Sequence, residues 1–264
     1  MIRRIRHAVL FALRRAFNGV AIDYRRASEW PQSLPSSWTG SAATVRFQAG
    51  PRGNQLEGLV AESRDELPLQ VKENLEALSR TALRRADVLD YGCGNGAYRA
   101  FIAGYSATAE WAYVGADVNA GLIAFCRRQM PEARFEVAPR FESLPFEEKS
   151  FDVVFASGVF QCVEQPPDLL AEFHRVTRAW VLLSRIPVRK HAASGIYLQR
   201  VWHRWGREAH AIHVFNREAL ETMCSAAGFD IDWRDYGLAW FQVPGEDEPV
   251  ADMQLLLRKR EGRE

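Results

Sequence analysis

Cysteine is scarce in this chain. Four occur in 264 residues (Cys93, Cys126, Cys162 and Cys224), far apart and without a Cys-x-x-Cys pair. That excludes a disulfide framework and reads as reduced thiols in a cytosolic protein. Net charge is also nearly absent: 34 Lys and Arg face 33 Asp and Glu, for a formal +1. Nothing global therefore points to nucleic acid as a partner. No apolar stretch approaches the roughly 20 residues of a membrane span. Internal repeats and low-complexity tracts are missing too. What remains, 47% hydrophobic and 25% charged, suits one sizeable α/β domain with a full core.

The near-zero charge hides an asymmetry. Residues 1–26 hold seven arginines and one acid, Asp23. They carry a net +6, which leaves −5 for the rest. On a helical wheel Ile2, Ile5, Val9, Leu13, Ala16 and Val20 share one face, with Arg4, His7, Arg14 and Arg15 opposite and Phe11 out of pattern. Residues 1–20 thus read as a basic amphipathic helix. Such a helix can lie on an anionic membrane surface, which would give peripheral contact at the inner face of a membrane from the cytoplasm. Packing on its own domain, a solvated tail and an organellar transit peptide stay open. A secretory signal does not fit, because the apolar run Ala8–Leu13 stops at Arg14-Arg15.

Prolines, serines and glycines punctuate residues 21–66, which read as an irregular linker or lid with aromatic anchors at Tyr24, Trp30, Trp38 and Phe47. Residues 67–264 read as the main domain. A helix is expected over 68–84. Strands follow at Val88–Tyr91, Trp111–Asp117, Arg134–Ala138, Phe151–Ser157 and Trp180–Ser184. Helical patterns separate them up to about Tyr105, over Ala120–Met130 and over Pro166–Arg178. That alternation implies right-handed crossovers and a parallel sheet. Residues 186–214 break the rhythm with four histidines, Tyr197, Trp202 and Trp205, and read as an insertion on the substrate side. Asn216 is a helix N-cap, and Gly228 ends that helix. Ile231–Val243 and Ala251–Lys259 finish as two strands that pair antiparallel. The fold class is α/β: a doubly wound, mostly parallel, seven-stranded sheet with an antiparallel C-terminal strand pair.

The most informative stretch is Val88 to Tyr98. An apolar strand ends in Asp90, glycines follow at 92, 94 and 96, and a helix begins. Glycine tolerates positive φ and lets a ligand approach the backbone, so a nucleotide-like ligand can sit over the strand end. Gly92-x-Gly94-x-x-Ala97 also satisfies a dinucleotide fingerprint, and Asp117 ends the next strand 21 residues beyond Gly96. Spacing alone leaves a nicotinamide enzyme open. Asp90 argues against it, since a carboxylate two residues before the first glycine would repel a pyrophosphate and attract a cationic group.

Asp90 with the alternating glycines, Asp117, the element Leu144–Val154 (LPFEEKSFDVV) and the antiparallel C-terminal pair together resemble the class I S-adenosylmethionine-dependent methyltransferases. The likeness covers residues 85–184 well and 214–259 in outline. LLSRIPV (182–188) and HVFNREAL are loosely similar to bacterial methyltransferases of surface-glycan or lipid assembly. The resemblance implies S-adenosylmethionine as cofactor, held by Asp90, Tyr91, Gly92, Cys93, Gly94, Gly96, Asp117, Val118, Arg140, Phe141 and Ser157. Asp117 takes the ribose hydroxyls, and Asp90 faces the methionyl end, directly or through water. Ser157 and Gly158 border cofactor and acceptor. One departure stands out: Arg140 occupies the place of the family's adenine-binding acid. Arginine only donates, so adenine is left to stack on Arg140 or Phe141, or to bond Glu142.

The activity implied is methyl transfer to an oxygen or nitrogen of a small-molecule or lipid/saccharide-linked acceptor. His210, His213 and Glu164 are candidate bases, unranked. The tryptophans at 202, 205 and 240 suit packing or an acceptor wall. Gln161 before Cys162 disfavours a nucleophilic cysteine, and no Asn/Asp-Pro-Pro-aromatic tetrapeptide suggests nucleic-acid bases as acceptors. Spacing disfavours zinc at His203, His210 and His213. A catalytically silent scaffold of the same fold and an NAD(P)-dependent oxidoreductase are the alternatives.

Overall fold

The computed structural model describes residues 20–31, 67–203 and 206–260. The expected helix over residues 1–20 falls, but for Val20, outside the described residues. So do most of the linker, with Trp38 and Phe47, and Trp205; the Trp240 side chain is likewise not described.

The core alternates strand and helix as the sequence pattern requires. Helix α1 (Leu69–Ser79) turns Val71, Leu75 and Leu78 inward. Strand β2 (Asp87–Tyr91) leads through the glycine turn into α2 (Ala97–Gly104), and β3 (Ala112–Asp117) into α3 (Ala120–Gln129). Asn119 caps α3, its side-chain oxygen accepting from the Gly121 and Leu122 N–H groups. Strands β4 (Arg134–Val137) and β5 (Phe151–Ser157) follow, then α4 (Pro166–Val176). Two prolines start α4 where their missing N–H groups cost nothing. Strand β6 (Thr177–Arg189) is far longer than the expected Trp180–Ser184. Helix α5 (Arg217–Ala226) is capped by Asn216, and the antiparallel β9 (Phe229–Phe241) and β10 (Val250–Lys259) close the chain.

The seven expected strands lie in the order β4-β3-β2-β5-β6-β10-β9, parallel except for β10, which runs antiparallel to both neighbours. Helices cover both faces. Val153 and Phe155 of β5 meet Leu75, Leu78 and Phe101 on one side. Val154 and Ala156 meet Leu169, Phe173 and Leu220 on the other. A strand buried on both faces is apolar throughout, which is how Phe151–Ser157 reads.

Two expectations are corrected. The sheet has ten described strands, not seven, and residues 21–66 are not irregular from their start. Val20–Ala27 is strand β1, which pairs antiparallel with β7 (Gly195–His203), and β7 pairs with β8 (Gly206–Asn216). The segment 186–214 is therefore the end of β6 and most of a β-hairpin. This three-stranded sheet joins the core where Val188 and Arg189 of β6 pair with Phe215 and Asn216. Its cross-strand partners, Asp23 with Arg200 and Tyr24 with Gln199, lie about 175 residues apart in sequence, beyond the reach of local pattern.

Asp90 is buried in the sheet, 2% exposed, with one described hydrogen bond, from the Tyr113 hydroxyl at 2.6 Å. Burial pushes its carboxyl up to about 7, against the Tyr113 bond; the nearby Asp117 charge pushes the same way as burial. The folded chain thus holds this proton more tightly than an unfolded one, whose Asp titrates near 3.9. Stability on this account is full below that lower value and falls as pH rises toward 7. Asp90→Asn removes the effect. Urea titrations at pH 5 and pH 8 should find wild type losing about 2–3 kcal/mol more than the variant. Parallel losses would show that Asp90 is not held neutral.

Candidate functional site

Three left-handed residues at alternate positions shape the turn after β2. Gly92, Gly94 and Gly96 have φ of 75°, 57° and 78°. Backbone strain alone favours glycine there, and packing adds to it. A Cβ on Gly92 would stand 2.8 Å from Val159, and one on Gly96 2.7 Å from the Met130 methyl. The turn is tied to β3: the Gly92 and Cys93 N–H groups both donate to the Ala116 carbonyl, at 2.7 and 3.0 Å.

Asp117 completes the tie. One carboxylate oxygen accepts from the Gly94 N–H at 3.0 Å, the other from the Asn119 N–H at 2.8 Å. Burial raises its pKa, and these two bonds oppose the rise. The turn and the tip of β3 thus face each other across one carboxylate.

A cavity of about 480 Å³ opens there, at the carboxyl ends of β2, β3, β5 and β6. This is the point where the chain, having placed β3 and β4 on one side of β2, crosses to β5 on the other, the usual binding crevice of such sheets. One end is lined by Tyr91, Gly92, Gly94, Asp117, Val118, Pro139 and Phe141. Ser157, Gly158, Val159 and Arg185 form its floor. The far end is built by Cys162, Val163 and Glu164, by Trp30 and Pro31 after β1, and by Ala209, His210 and Ala211 of β8.

The structure therefore brings together Tyr91, Gly92, Gly94, Asp117, Val118, Phe141 and Ser157 of the expected set. It does not bring four others to the cavity wall. Asp90 lies inside the sheet against Tyr113, so the expected facing of the methionyl end is corrected to a buried position. Cys93 is buried with Cys126, Ile123 and Phe135 under the turn. Gly96 caps α2. Arg140 is exposed and off the cavity wall, while its neighbours Pro139 and Phe141 line it.

Of the candidate bases, His210 faces the cavity at 6% exposure. Burial pushes its pKa down to about 4, so the ring is neutral at pH 7. Its Nε2 meets the Gln199 side-chain oxygen, and the Gln199 amide donates to the Tyr24 hydroxyl at 2.8 Å. That chain leaves Nε2 as the protonated nitrogen. Glu164 sits exposed at the cavity rim. His213 lies off the lining, stacked on Trp30 at 5.0 Å, with Nε2 3.3 Å from the Glu164 carbonyl. Trp202 does not line the cavity.

Sequence reasoning missed two groups. Arg185 is a charge in the middle of the mostly apolar run Val181–Val188, and that incongruity was the available signal. Asn74 sits on the apolar face of α1, fully buried. It donates to the Tyr98 hydroxyl at 2.5 Å and the Ser157 hydroxyl at 3.3 Å, and accepts from Ser184 at 2.5 Å and Gln254 at 3.2 Å. This network holds Ser157 in the wall.

Comparison with known proteins agrees with this geometry. Residues 89–181 match a methyltransferase-domain family. A biotin biosynthesis bifunctional protein BioHC of Cellvibrio japonicus is 28% identical over 210 residues, 79% of this chain and 36% of that protein. A phthiotriol/phenolphthiotriol dimycocerosates methyltransferase of Mycobacterium leprae is 36% identical over 93 residues, 34% of this chain and 33% of that protein. The chain thus spans about a third of the length of these curated relatives. Among solved structures, a 1,6-didemethyltoxoflavin-N1-methyltransferase of Burkholderia thailandensis with bound S-adenosylhomocysteine shares the fold. The TM-score is 0.55 at 18% identity, over 92% of this chain and 96% of that one. Residues 89–181 thus match a methyltransferase domain, and the sheet built around them has the class I methyltransferase fold.

Proposed function

We propose that the chain transfers a methyl group from S-adenosylmethionine to an oxygen or nitrogen of a small-molecule or lipid/saccharide-linked acceptor. The observation that carries this is the bare glycine turn facing the Asp117 carboxylate across a cavity at the strand switch point. The residues present fit the cofactor. A carboxylate has about four lone-pair sites. Two are engaged at Asp117, and the remainder suit a pair of ribose hydroxyls. Phe141 offers an apolar face for adenine, and Gly92 and Gly94 offer backbone without side-chain bulk. When bound, the cofactor supplies a methyl group already activated on a sulfonium.

The chain's own work is then alignment and exclusion of water. Trp30, Pro31 and the β8 residues close the far end of the cavity, so acceptor choice rests with the accessory sheet. The Mycobacterium leprae relative is named for phthiotriol/phenolphthiotriol dimycocerosates as its acceptors, which supports a lipid-like acceptor here. We place the reaction in the cytoplasm, with residues 1–20 as a contact to anionic lipid. Among the described residues no helix is long and apolar enough to cross a membrane.

Thermal unfolding tests the cofactor directly. S-adenosylhomocysteine should raise the melting temperature and NADH should not; the reverse would support the oxidoreductase and sink the methyltransferase. Calorimetry on Asp117→Ala should show S-adenosylhomocysteine binding weakened by about 1–3 kcal/mol, and an unaltered dissociation constant would refute the ribose role. Removing residues 1–18, which spares β1, should lower sedimentation with phosphatidylglycerol vesicles while leaving cofactor affinity intact. Equal sedimentation of both forms would end the membrane reading.

A further inference from the structure

We propose that the methyl acceptor is an aliphatic carboxylate, gripped by the Arg185 guanidinium where the cavity meets the end of β5. This rests on the methyl-transfer reading above and names the substrate class of that site.

A β-bulge delivers Arg185 to the cavity. Met253 of β10 pairs with Ile186 and Leu255 with Leu183, so Ser184 and Arg185 together oppose the single Gln254. Leu183, Ile186 and Val188 consequently all enter the same apolar core cluster. Unbulged alternation would have sent position 185 into that core with Leu183. Arg185 takes φ 58° at the bulge, a left-handed conformation that a side-chain-bearing residue adopts at a cost and that clusters at functional sites. Bulges beside active sites re-aim side chains. This one lays Arg185 along Gly158, with its Cδ and Nη1 3.6 and 3.7 Å from where a Cβ on that glycine would stand. Burial pushes the nearby Asp252 carboxyl up to about 6, and the Arg185 charge opposes that rise.

The rest of the far end suits an acceptor that arrives ionised. A hydroxyl or ammonium acceptor needs a base with a pKa near the working pH. Burial holds the His210 ring near 4, and pushes the Cys162 thiol and the Tyr24 phenol up to about 12. Glu164, the remaining acid at that end, is exposed at the rim. A carboxylate needs no base. Its oxygen forms a bond to the methyl carbon as the carbon–sulfur bond breaks, the electron pair stays on sulfur, and no proton moves. An anion and a sulfonium become a neutral ester and a neutral thioether. That cancellation of charge is favoured in a cavity walled by Trp30, Val159, Val163 and Ala211, where little water screens it. The same apolar walls suit an aliphatic body behind the carboxylate. Arginine matches a carboxylate through two parallel hydrogen bonds, and it loses that hold on the ester, which eases release.

Octanoate, octanamide and octanol share a chain and differ in the head group, so they isolate the charge. In thermal unfolding with saturating S-adenosylhomocysteine, octanoate should raise the wild-type melting temperature by several degrees and the two neutral probes should not. Arg185→Gln should lose the octanoate response while keeping the full response to S-adenosylhomocysteine, which also reports that the variant is folded. Arg185→Lys, with charge but no fork, should keep a weaker response. With methyl-labelled S-adenosylmethionine, octanoate should yield label released as methanol by mild base, at least 100-fold less in Arg185→Gln. No octanoate response, an equal response to octanol, or an undiminished response in Arg185→Gln would overturn the proposal. A wild-type protein indifferent to S-adenosylhomocysteine would instead overturn the cofactor reading.

Discussion

The Asp117 carboxylate, accepting one N–H from the turn after β2 and one from the start of α3, is the contact around which the donor half of the cleft is organised. A turn with three left-handed residues has little intrinsic preference for one shape. It acquires one by being fastened. Ala116 and Asp117 hold it to β3, Val159 blocks Gly92, and Met130 and Phe135 crowd Gly96. The absence of side chains on the turn therefore serves two ends. It frees backbone toward the cavity, and it admits neighbouring side chains that could not otherwise approach. A substitution at Gly92 or Gly96 would strain the backbone and the packing together.

Much of the core was legible because its information is local. The strand β5 coincides with the expected Phe151–Ser157, the cap residue Asn216 accepts the bond its type predicts, and Asp117 stands at the tip of its strand. The accessory sheet was not legible, because its pairing is distant. Strand β1 is stabilised by partners about 175 residues away, and its own eight residues carry no strong alternation. Asp90 shows a subtler limit. Its place beside the glycines is plain, but a strand end has two faces, and only the structure shows that this side chain turns to Tyr113 and not to the cleft. Arg140 likewise occupies the motif position while its side chain stays in solvent. Arg185 depends on a bulge, which one strand's sequence cannot announce without its neighbour's register.

The cleft thus has two owners. The parallel core supplies the end built from β2 and β3, and the accessory sheet supplies the end built from β8 and the residues after β1. Their junction is made of buried charge. Arg189, 3% exposed, pairs with Glu246 and donates to the Tyr197 hydroxyl at 2.7 Å, and Arg26 stands 3.8 Å from the same Glu246. Two residues on, Glu248 accepts from the consecutive N–H groups of Lys190, His191 and Ala192, which draws its pKa down.

That junction sets the boundary of any transplant. A buried arginine stripped of its acid is far costlier than the intact pair is worth. Grafting the β7–β8 hairpin alone onto a sister scaffold would leave Arg189 and Glu246 behind, and with them the described hydrogen-bond partners of the buried Tyr197 hydroxyl. The smallest portable unit is discontinuous in sequence: the first strand, the end of β6 with Arg189, the hairpin, and the short bend between the last two strands must travel as one cassette.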